Sequence, residues 1–254
     1  MKRSWTDWDR WKLNLRQDWV ETAKKNAAVE AVKQIKDGYV VGLGSGSTAA
    51  YAIEEIGRKM KREKLRVQGV PTSYQAFMIA VQQGIPITTL EEQPTLDVTI
   101  DGADQIDPDL NLIKGMGGAL AREKIVASSS KNLVIIADET KKVKALGENN
   151  HPIPVEALPF AASLVKRKLR ELGATPTLRE GKGKVGPVVT DNGNIIIDAQ
   201  FGPISNPARL EPKIRAIPGT VETGLFIQMT STAYIGNRSG TEKLLRKQTK
   251  TLKQ

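Results

Sequence analysis

The chain has 254 residues, which is enough for one large α/β domain or two smaller domains with buried cores. It has no cysteine, which excludes disulfides, thiolate catalysis and iron–sulfur sites. Its one histidine, His151, excludes metal sites built on a pair of histidines. Acid–base chemistry must therefore fall mainly on carboxylates and lysines. The net charge of +10 makes nucleic acid a partner to consider.

The first segment is rich in tryptophan, and all four tryptophans fall within the first 19 positions. Trp8, Trp11 and Trp19 share one helical stripe with Leu15. This predicts an added N-terminal helix, residues 1–21, packed on the body of the protein or on a neighbouring subunit. A membrane-surface helix is the weaker alternative, because the polar face mixes acids with bases. The chain shows neither a signal-peptide pattern nor the ~20 apolar residues that span a bilayer, so we expect a cytoplasmic protein without a membrane partner.

Residues 22–149 alternate between helix and strand patterns. An amphipathic helix is predicted over 22–37, where Gly38 ends it. The elements that follow are a strand at 39–44, a helix at 49–60, a strand at 67–73, a helix through about 83, a short strand at 85–89, a strand at 96–104, a helix at about 119–129 and a strand at 133–138. This alternation predicts an α/β fold with a Rossmann-like domain, a parallel sheet covered on both faces.

The pattern changes at residues 147–159, whose proline, asparagine and glycine content predicts a domain junction. The elements predicted beyond it are a strand at 153–157, a helix at 160–172, a strand at 174–179, a hairpin about the Asp191–Gly193 turn, a helix at 207–216 and a strand at 220–227. Their order resembles a ferredoxin-like α+β unit, so residues 150–229 are expected to form a second, smaller domain.

The end of the chain predicts one more strand, STAYIG at 231–236, and then a helix over SGTEKLLRKQTK at 239–250. We expect this segment to return to the first domain. The Rossmann-like domain would then comprise residues 22–149 plus 230–254.

A glycine-rich loop, GLGSGST from Gly42 to Thr48, joins the first strand to a helix. Glycines let the backbone approach an anion, and the N–H groups and dipole at a helix start favour phosphate. Ser45, Ser47 and Thr48 can add hydroxyl donors. The loop lacks the lysine of a Walker loop and the third glycine of a dinucleotide loop. The alternative is a tight turn whose hydroxyls only cap the helix.

Asp101 and Asp104 lie three residues apart at the end of a predicted central strand. Ligands of open parallel sheets bind at the carboxyl ends of strands. Proximity of like charges and partial burial would raise the pKa of one of the two carboxyls. Binding of Mg²⁺ is the rival use, although further oxygen ligands are not evident, and a pair of loop and cap residues is the plain alternative.

A second glycine-rich loop begins at Lys114 and leads into the helix that carries Glu123. Lys114 could neutralise a developing oxyanion. Glu123 could serve as a general base if the helix start points at a pocket. The alternative is an ordinary helix residue paired with Arg122 or Lys124, and the residues alone leave the two interpretations even.

After the strand at 133–138, Lys141 could reach a phosphate, whereas Asp138 is expected to cap the next turn. The four motifs together place glycines, paired acids, lysines and a candidate base at the carboxyl ends of several strands. That arrangement suits proton abstraction next to a carbonyl on a small phosphorylated substrate.

The chain resembles the type A ribose-5-phosphate isomerase family over about residues 22–236. The segments that carry the resemblance are GLGSGSTAAYAI, DVTIDGADQID, LIKGMGGALAREKIVA, IADETKKV, LGENNHPIPVEALPF, VTDNGNIIID and AIPGTVETGLF. The resemblance implies reversible isomerisation of D-ribose 5-phosphate and D-ribulose 5-phosphate, in the non-oxidative branch of the pentose phosphate pathway. It also implies that the enzyme uses no metal and no organic cofactor, and that it is a homodimer or homotetramer.

The resemblance further implies roles for particular residues. Glu123 would be the general base that moves a proton between C1 and C2 through an enediolate. Asp101 would assist the opening of the furanose ring, and Asp104 and Lys114 would hold sugar hydroxyls and stabilise the enediolate. The implied substrate-binding residues are Lys24, Ser45, Gly46, Ser47, Thr48, Asp101, Gly102, Ala103, Asp104, Lys114, Gly115, Met116, Gly117 and Lys141.

The sequence departs from the family pattern at two of these positions. Ser45 stands where threonine is frequent, which keeps the hydroxyl. Met116 replaces a glycine that is often found there, so its side chain must point away from substrate. Residues 1–20 and the loop at 179–186 look like additions, about which the resemblance implies nothing.

Two other classes of protein are alternatives to an isomerase. A non-catalytic sugar-phosphate sensor could share the fold, but the joint presence of Glu123, Asp101, Asp104 and Lys114 argues against it. A nucleic-acid-binding protein is motivated by the basic charge alone. The excess charge lies in four peripheral segments, 1–20, 57–66, 161–184 and 240–254. We therefore expect no specific nucleic-acid partner.

Overall fold

The computed structural model describes residues 7–183 and 185–246, with side chains described from Trp19 onward, apart from Lys184. The helices are α1 (Asp7–Val32), α2 (Ser47–Glu63), α3 (Tyr74–Gln83), α4 (Leu120–Ser128), α5 (Ala162–Glu171) and α6 (Pro207–Arg215). The strands are β1 (Val40–Leu43), β2 (Gln68–Pro71), β3 (Val98–Asp101), β4 (Gln105–Ile106), β5 (Leu112–Ile113), β6 (Leu133–Asp138), β7 (Ile153–Ala157), β8 (Thr175–Leu178), β9 (Ile195–Gln200), β10 (Thr220–Thr223), β11 (Leu225–Phe226), β12 (Thr230–Asn237) and β13 (Gly240–Leu245).

A six-stranded sheet forms the centre of the larger domain, in the order β2-β1-β3-β6-β12-β13. The first five of these strands are parallel, and β13 runs antiparallel at the edge. Val41, Ile100 and Ile136 belong to the apolar core that the first three helices cover. Ile135 and Ile235 belong to the core on the opposite face. The predicted parallel sheet with two covered faces is confirmed.

Helix α1 is one continuous helix, where the sequence predicted an added helix and a separate one over 22–37. Small side chains let it approach the sheet, and those of Ala23, Ala27 and Ala31 are fully buried. Of the tryptophan stripe, only the Trp19 side chain lies within the described part, and the guanidinium of Arg238 lies 5.0 Å from its ring centroid. Trp8, Trp11 and Leu15 lie outside the described side chains.

The smaller domain is a four-stranded antiparallel sheet in the order β10-β7-β9-β8, with α5 and α6 as its two crossover helices. This is the ferredoxin-like arrangement that the sequence predicted. The Asn192–Gly193 turn closes as expected, because the amide of Thr190 donates to the carbonyl oxygen of Asn194 at 2.8 Å. The residue bounds of the domain, 150 and 229, stay a prediction.

Alternate residues of the smaller sheet face two different neighbours. Val155 and Ile197 point into the core that α5 and α6 cover. Pro154 and Ile196 instead point at the loop that begins at Lys114, where a Cβ added at Gly115 would lie 3.2 Å from Pro154. The smaller domain therefore supports a segment of the larger one.

Two predicted elements are wrong. Residues 239–250 were expected to form a helix, but β13 pairs with β12 from Gly240 to Leu245. The pairing with β12 across a tight turn outweighs the helix propensity of this segment. Residues 85–89 were expected to form a strand, but they make only a single bridge, between Ile87 and Gly69.

The strand predicted at 220–227 is divided at Gly224. The residues before it belong to the smaller sheet as β10, and those after it form β11, which pairs with β5. Strands β4 and β5 were missed because each is only two residues long. Within the described ranges, no helix is long and apolar enough to cross a membrane.

The contact between α1 and β12 yields a test of the packing. A Cβ added at Gly236 would lie 2.0 Å from the carbonyl oxygen of Ala23. Because backbone cannot rotate out of the way, Gly236→Ala should lower the free energy of unfolding by about 1–3 kcal/mol or more. Urea unfolding measures this change. Thr232→Ala, at a half-buried position of the same strand, should cost less than about 1 kcal/mol. Equal losses in the two variants would contradict the close contact.

Candidate active site

Strands β1, β3 and β6 end at the same edge of the large sheet, and the segments that follow them surround one cavity of about 360 Å³. Glu123, the expected base, lines it together with twelve of the fourteen residues expected to bind substrate: Lys24, Ser45, Gly46, Ser47, Thr48, Gly102, Ala103, Asp104, Lys114, Gly115, Gly117 and Lys141. Asp101 and Met116 do not line it. The four sequence motifs thus converge on one place.

A buried lysine lies between two buried carboxylates at the floor of this cavity. Lys114 Nζ is 3.0 Å from Asp101 Oδ2 and 3.2 Å from Glu123 Oε2. It also donates to the carbonyl oxygen of Gly102 at 2.7 Å. None of the three charged side chains is more than 6% exposed. The sequence alone left Glu123 undecided between base and ordinary helix residue, and the structure places it against Lys114.

Burial and mutual charge shift the pKa values of all three groups. Burial raises the pKa of Glu123 to about 8; Lys114 opposes this rise and the charge of Asp101 adds to it. Burial likewise raises the pKa of Asp101, against the lowering effect of Lys114. For Lys114, burial alone would lower the pKa, but the neighbouring carboxylates raise it. Lys114 therefore stays charged while Glu123 can exchange a proton near neutral pH.

Asp101 is held by the backbone rather than exposed to the cavity. Its Oδ1 accepts hydrogen bonds from the amides of Gly102, at 2.7 Å, and Ser45, at 3.1 Å. A Cβ at Gly44 would lie 2.2 Å from the same oxygen, so glycine is needed there. Asp101 thus fixes Lys114 and the loop after β1, and its expected part in opening the furanose ring stays a prediction.

That loop presents hydrogen-bond donors at the start of α2. Ser45 Oγ is held by the hydroxyls of Thr72 and Ser73, at 2.7 and 2.6 Å. The N-terminus of α2 has no side-chain cap, so the alternative in which the hydroxyls only cap the helix is wrong. Lys24 reaches the same place and donates to Ser47 Oγ at 3.3 Å. Amides, hydroxyls and an ammonium group together suit an anion.

The second glycine-rich loop carries its own contacts. The amide of Met116 donates to Asp104 Oδ2 at 3.0 Å. The Met116 side chain lies outside the cavity, with its sulfur 3.8 Å from a guanidinium nitrogen of Arg179. On the other side of the cavity, Asp138 caps the turn after β6 as expected, by accepting from the amide of Thr140, and Lys141 follows on the cavity wall.

The sequence analysis missed two parts of the wall. One is the segment before and within the first turn of α3, where Ser73 and Gln75 line the cavity. The other is the arm and turn of the hairpin at 188–191, whose Asp191 accepts from the amide of Tyr74 at 2.8 Å. The Asn-Gly turn was a signal for the hairpin, but nothing local indicated that it crosses to the larger domain.

His151 lies outside this geometry. Burial lowers the pKa of His151, and its side chain does not line the cavity. Among the described residues, no group of three or more His, Cys, Asp or Glu side chains is arranged to hold a metal ion. The positive charge between the two carboxylates is that of Lys114.

This arrangement combines a carboxyl of raised pKa, a buried ammonium group and a helix start without a side-chain cap, which suits proton transfer on a small anionic substrate. Comparison with known proteins agrees. Residues 68–240 match the family model of ribose 5-phosphate isomerase A (phosphoriboisomerase A). Ribose-5-phosphate isomerase A of Methanothermobacter thermautotrophicus is 50% identical over 223 residues, which cover 88% of this chain and 97% of the relative. Ribose-5-phosphate isomerase of Dictyostelium discoideum is 50% identical over 233 residues, 89% of this chain and 98% of the relative.

Two solved structures are similar over the same extent. Ribose 5-phosphate isomerase A of Methanocaldococcus jannaschii is 46% identical, with a TM-score of 0.85, and covers 89% of this chain and 99% of its own. A D-ribose-5-phosphate isomerase in complex with phospho-erythronic acid is 45% identical, with a TM-score of 0.87 and the same coverage. The chain therefore belongs to the ribose 5-phosphate isomerase A family, and it is an isomerase.

The raised pKa of Glu123 predicts a pH dependence. Only the ionised carboxylate accepts a proton, so kcat/KM should rise with pH and level off above about pH 8. Steady-state rates across this range, with thermal unfolding followed in the same buffers, measure the effect. A flat profile from about pH 6 to 9 with an intact fold would contradict a titrating base of raised pKa.

Proposed function

We propose that this isomerase interconverts D-ribose 5-phosphate and D-ribulose 5-phosphate through an enediolate, with Glu123 as the base. The observation that carries the proposal is the position of the Glu123 carboxylate, on the cavity wall and 3.2 Å from Lys114 Nζ. An aldose–ketose shift needs one group that takes a proton from one carbon and returns it to the next, together with a positive charge beside the developing oxyanion. Glu123 and Lys114 supply the two.

The proton path follows from this pair. Glu123 removes the proton from C2 of the open-chain aldose, and the electrons move to the carbonyl oxygen at C1 to form the enediolate. The protonated Glu123 then returns the proton to C1, while a proton moves between the two oxygens. Lys114, buried and charged, stabilises the negative oxygen at the point where water is excluded.

The roles that we propose for the two aspartates differ from those that the family resemblance implied. Asp101 is fully enclosed, so in the proposal it holds Lys114 and the Ser45 amide and acts on the sugar only through them. Asp104 lines the cavity and is the carboxylate placed to assist ring opening and to hold sugar hydroxyls. Gly102, Ala103, Gly115 and Gly117 shape the wall between them, and Met116 contributes only its backbone.

The phosphate is assigned to the side of the cavity opposite this pair. The start of α2 offers the hydroxyls of Ser47 and Thr48, and Lys24 and Lys141 add positive charge. A volume of about 360 Å³ suits a five-carbon sugar phosphate.

The oligomeric state, the partners and the location of the protein are also proposals or predictions. We propose a homodimer or homotetramer, which the exposed apolar face of α3 supports, since Tyr74, Met78 and Val81 are each more than half exposed. A specific nucleic-acid partner is not part of the proposal. The cytoplasmic location stays a prediction that cell fractionation would test.

Replacing the base gives a direct test. Glu123→Gln keeps the size of the side chain but cannot accept the proton, so kcat should fall by about 10²–10⁴. Coupled-enzyme assays measure kcat, and calorimetric titration with ribose 5-phosphate should show retained binding. Glu171→Gln, on the exposed face of α5, is the control and should leave kcat unchanged. Near-normal turnover of Glu123→Gln would remove Glu123 from the role.

Metal independence is tested by the same assay in excess EDTA. Because Lys114 supplies the positive charge between the carboxylates, turnover after prolonged chelation should equal that of the untreated enzyme. Loss of activity that Mg²⁺ restores would overturn the assignment of this role to Lys114.

A further inference from the structure

One arginine outside the cavity donates hydrogen bonds to the backbone of the loop that begins at Lys114. Arg179 directly follows β8, and its Nη1 donates to the carbonyl oxygens of Gly115, at 2.8 Å, and Met116, at 3.0 Å. The rest of the guanidinium is held by Asp198, with Nε donating to Oδ2 at 2.8 Å and Nη2 to Oδ1. The two side chains are only 12% and 15% exposed. A carboxylate thus orients a guanidinium, which in turn orients two peptide groups.

Each of the two carbonyl groups that Arg179 binds shares a peptide unit with an N–H group, and this N–H group points away from Arg179. A peptide unit is planar and trans, so its C=O and N–H bonds point in opposite directions. The Gly115 carbonyl meets Arg179, and the N–H of the same unit, from Met116, meets Asp104 on the cavity side. By the same rule the N–H of Gly117 points away from Arg179, and Gly117 lines the cavity.

The loop needs outside support because its glycines give it little rigidity. Gly115 and Gly118 have φ values of +104° and +82°, conformations that glycine reaches freely but does not prefer strongly over others. The same loop bears Lys114 at one end and leads to Glu123 in α4 at the other. Small rotations of its peptides would move the donors and the ammonium group relative to the base.

We propose that Arg179, oriented by Asp198, is a positioning residue for the isomerisation, because it fixes the peptide groups of Gly115 and Met116 so that the cavity-facing N–H groups meet Asp104 and the enediolate. The proposal rests on the site assigned above. It also gives a reason why Met116 is accommodated, since the side chain packs on the guanidinium rather than in the cavity. Arginine is required because one planar fork must serve a carboxylate and two carbonyls, which the single ammonium of lysine cannot do.

The experiment compares Arg179→Lys with the unmodified enzyme by kinetics and by binding of two ligands. Phospho-erythronic acid carries a planar carboxylate that resembles the enediolate, whereas ribitol 5-phosphate has the phosphate and hydroxyls but no planar anion. A misplaced loop should lower kcat by about 10²-fold while KM changes by less than about threefold. Affinity for phospho-erythronic acid should fall by at least tenfold, roughly in step with kcat/KM, and affinity for ribitol 5-phosphate should stay within about threefold.

A second variant and a control complete the test. Asp198→Asn keeps Arg179 but loosens its orientation, and it should show the same ligand pattern with a smaller loss of kcat. It decides the matter if Arg179→Lys fails to fold. Arg66→Lys, in a surface pair with Asp37 far from the site, is the matched control and should change neither kcat nor either affinity.

Two results would overturn the proposal. One is a kcat within about threefold of the unmodified enzyme in both variants. The other is an equal loss of affinity for the two ligands, which is what general weakening of the fold would give. Glu123→Gln, assayed alongside, separates a failure of the assigned site from a failure of the role proposed for Arg179. If it too remains active, the assigned site is wrong, and if it alone is inactive, only the role of Arg179 fails.

Discussion

The burial of one ammonium group between two carboxylates is the interaction on which the rest of the site depends. The three side chains are buried, so each charge must be stabilised mainly by protein groups. Asp101 Oδ2 and Glu123 Oε2 each have only the ion pair with Lys114, but the other oxygen of Asp101 also accepts from two backbone amides. The two carboxylates are therefore unequal. Glu123 is the less stabilised as an anion, which makes it the better proton acceptor.

Support for this buried cluster comes from the smaller domain, whose sheet is packed on both faces. Its helices cover one face, and the loop and helix that carry Lys114 and Glu123 cover the other. Lys124, next to Glu123, donates to the carbonyl oxygen of Thr223 at 2.6 Å and to Glu222 at 2.8 Å. The ring of Phe226 lies near both ammonium groups, with its centroid 5.4 Å from Lys114 Nζ and 4.9 Å from Lys124 Nζ. The second domain thus holds in place the segment that carries Lys114 and Glu123.

The parts of this structure that the sequence predicted are those with local causes. Strands β1, β3 and β6 are short apolar runs; glycine follows β1, and β3 and β6 end in aspartate. Their parallel order brings the motifs after them to one edge of the sheet. The order of the smaller domain followed from the same local patterns. The helix predicted at 239–250 is wrong because pairing with β12 outweighs the helix propensity of these residues. The periodicity of a single sequence does not contain that contact.

The site, like the fold, could be predicted from the sequence only where its residues lie in local motifs. Lys114 and Glu123 carry motifs, but Arg179 bonds to Gly115 from 64 positions away in the sequence, and no spacing rule joins them. The single histidine explains why the carboxylates of the sequence motifs still pointed to acid–base chemistry. His151 is half-buried with a lowered pKa and does not reach the cavity. A group that titrates near neutral pH must then be made from a carboxyl by burial, and burial is what the packing of the smaller domain on α4 supplies.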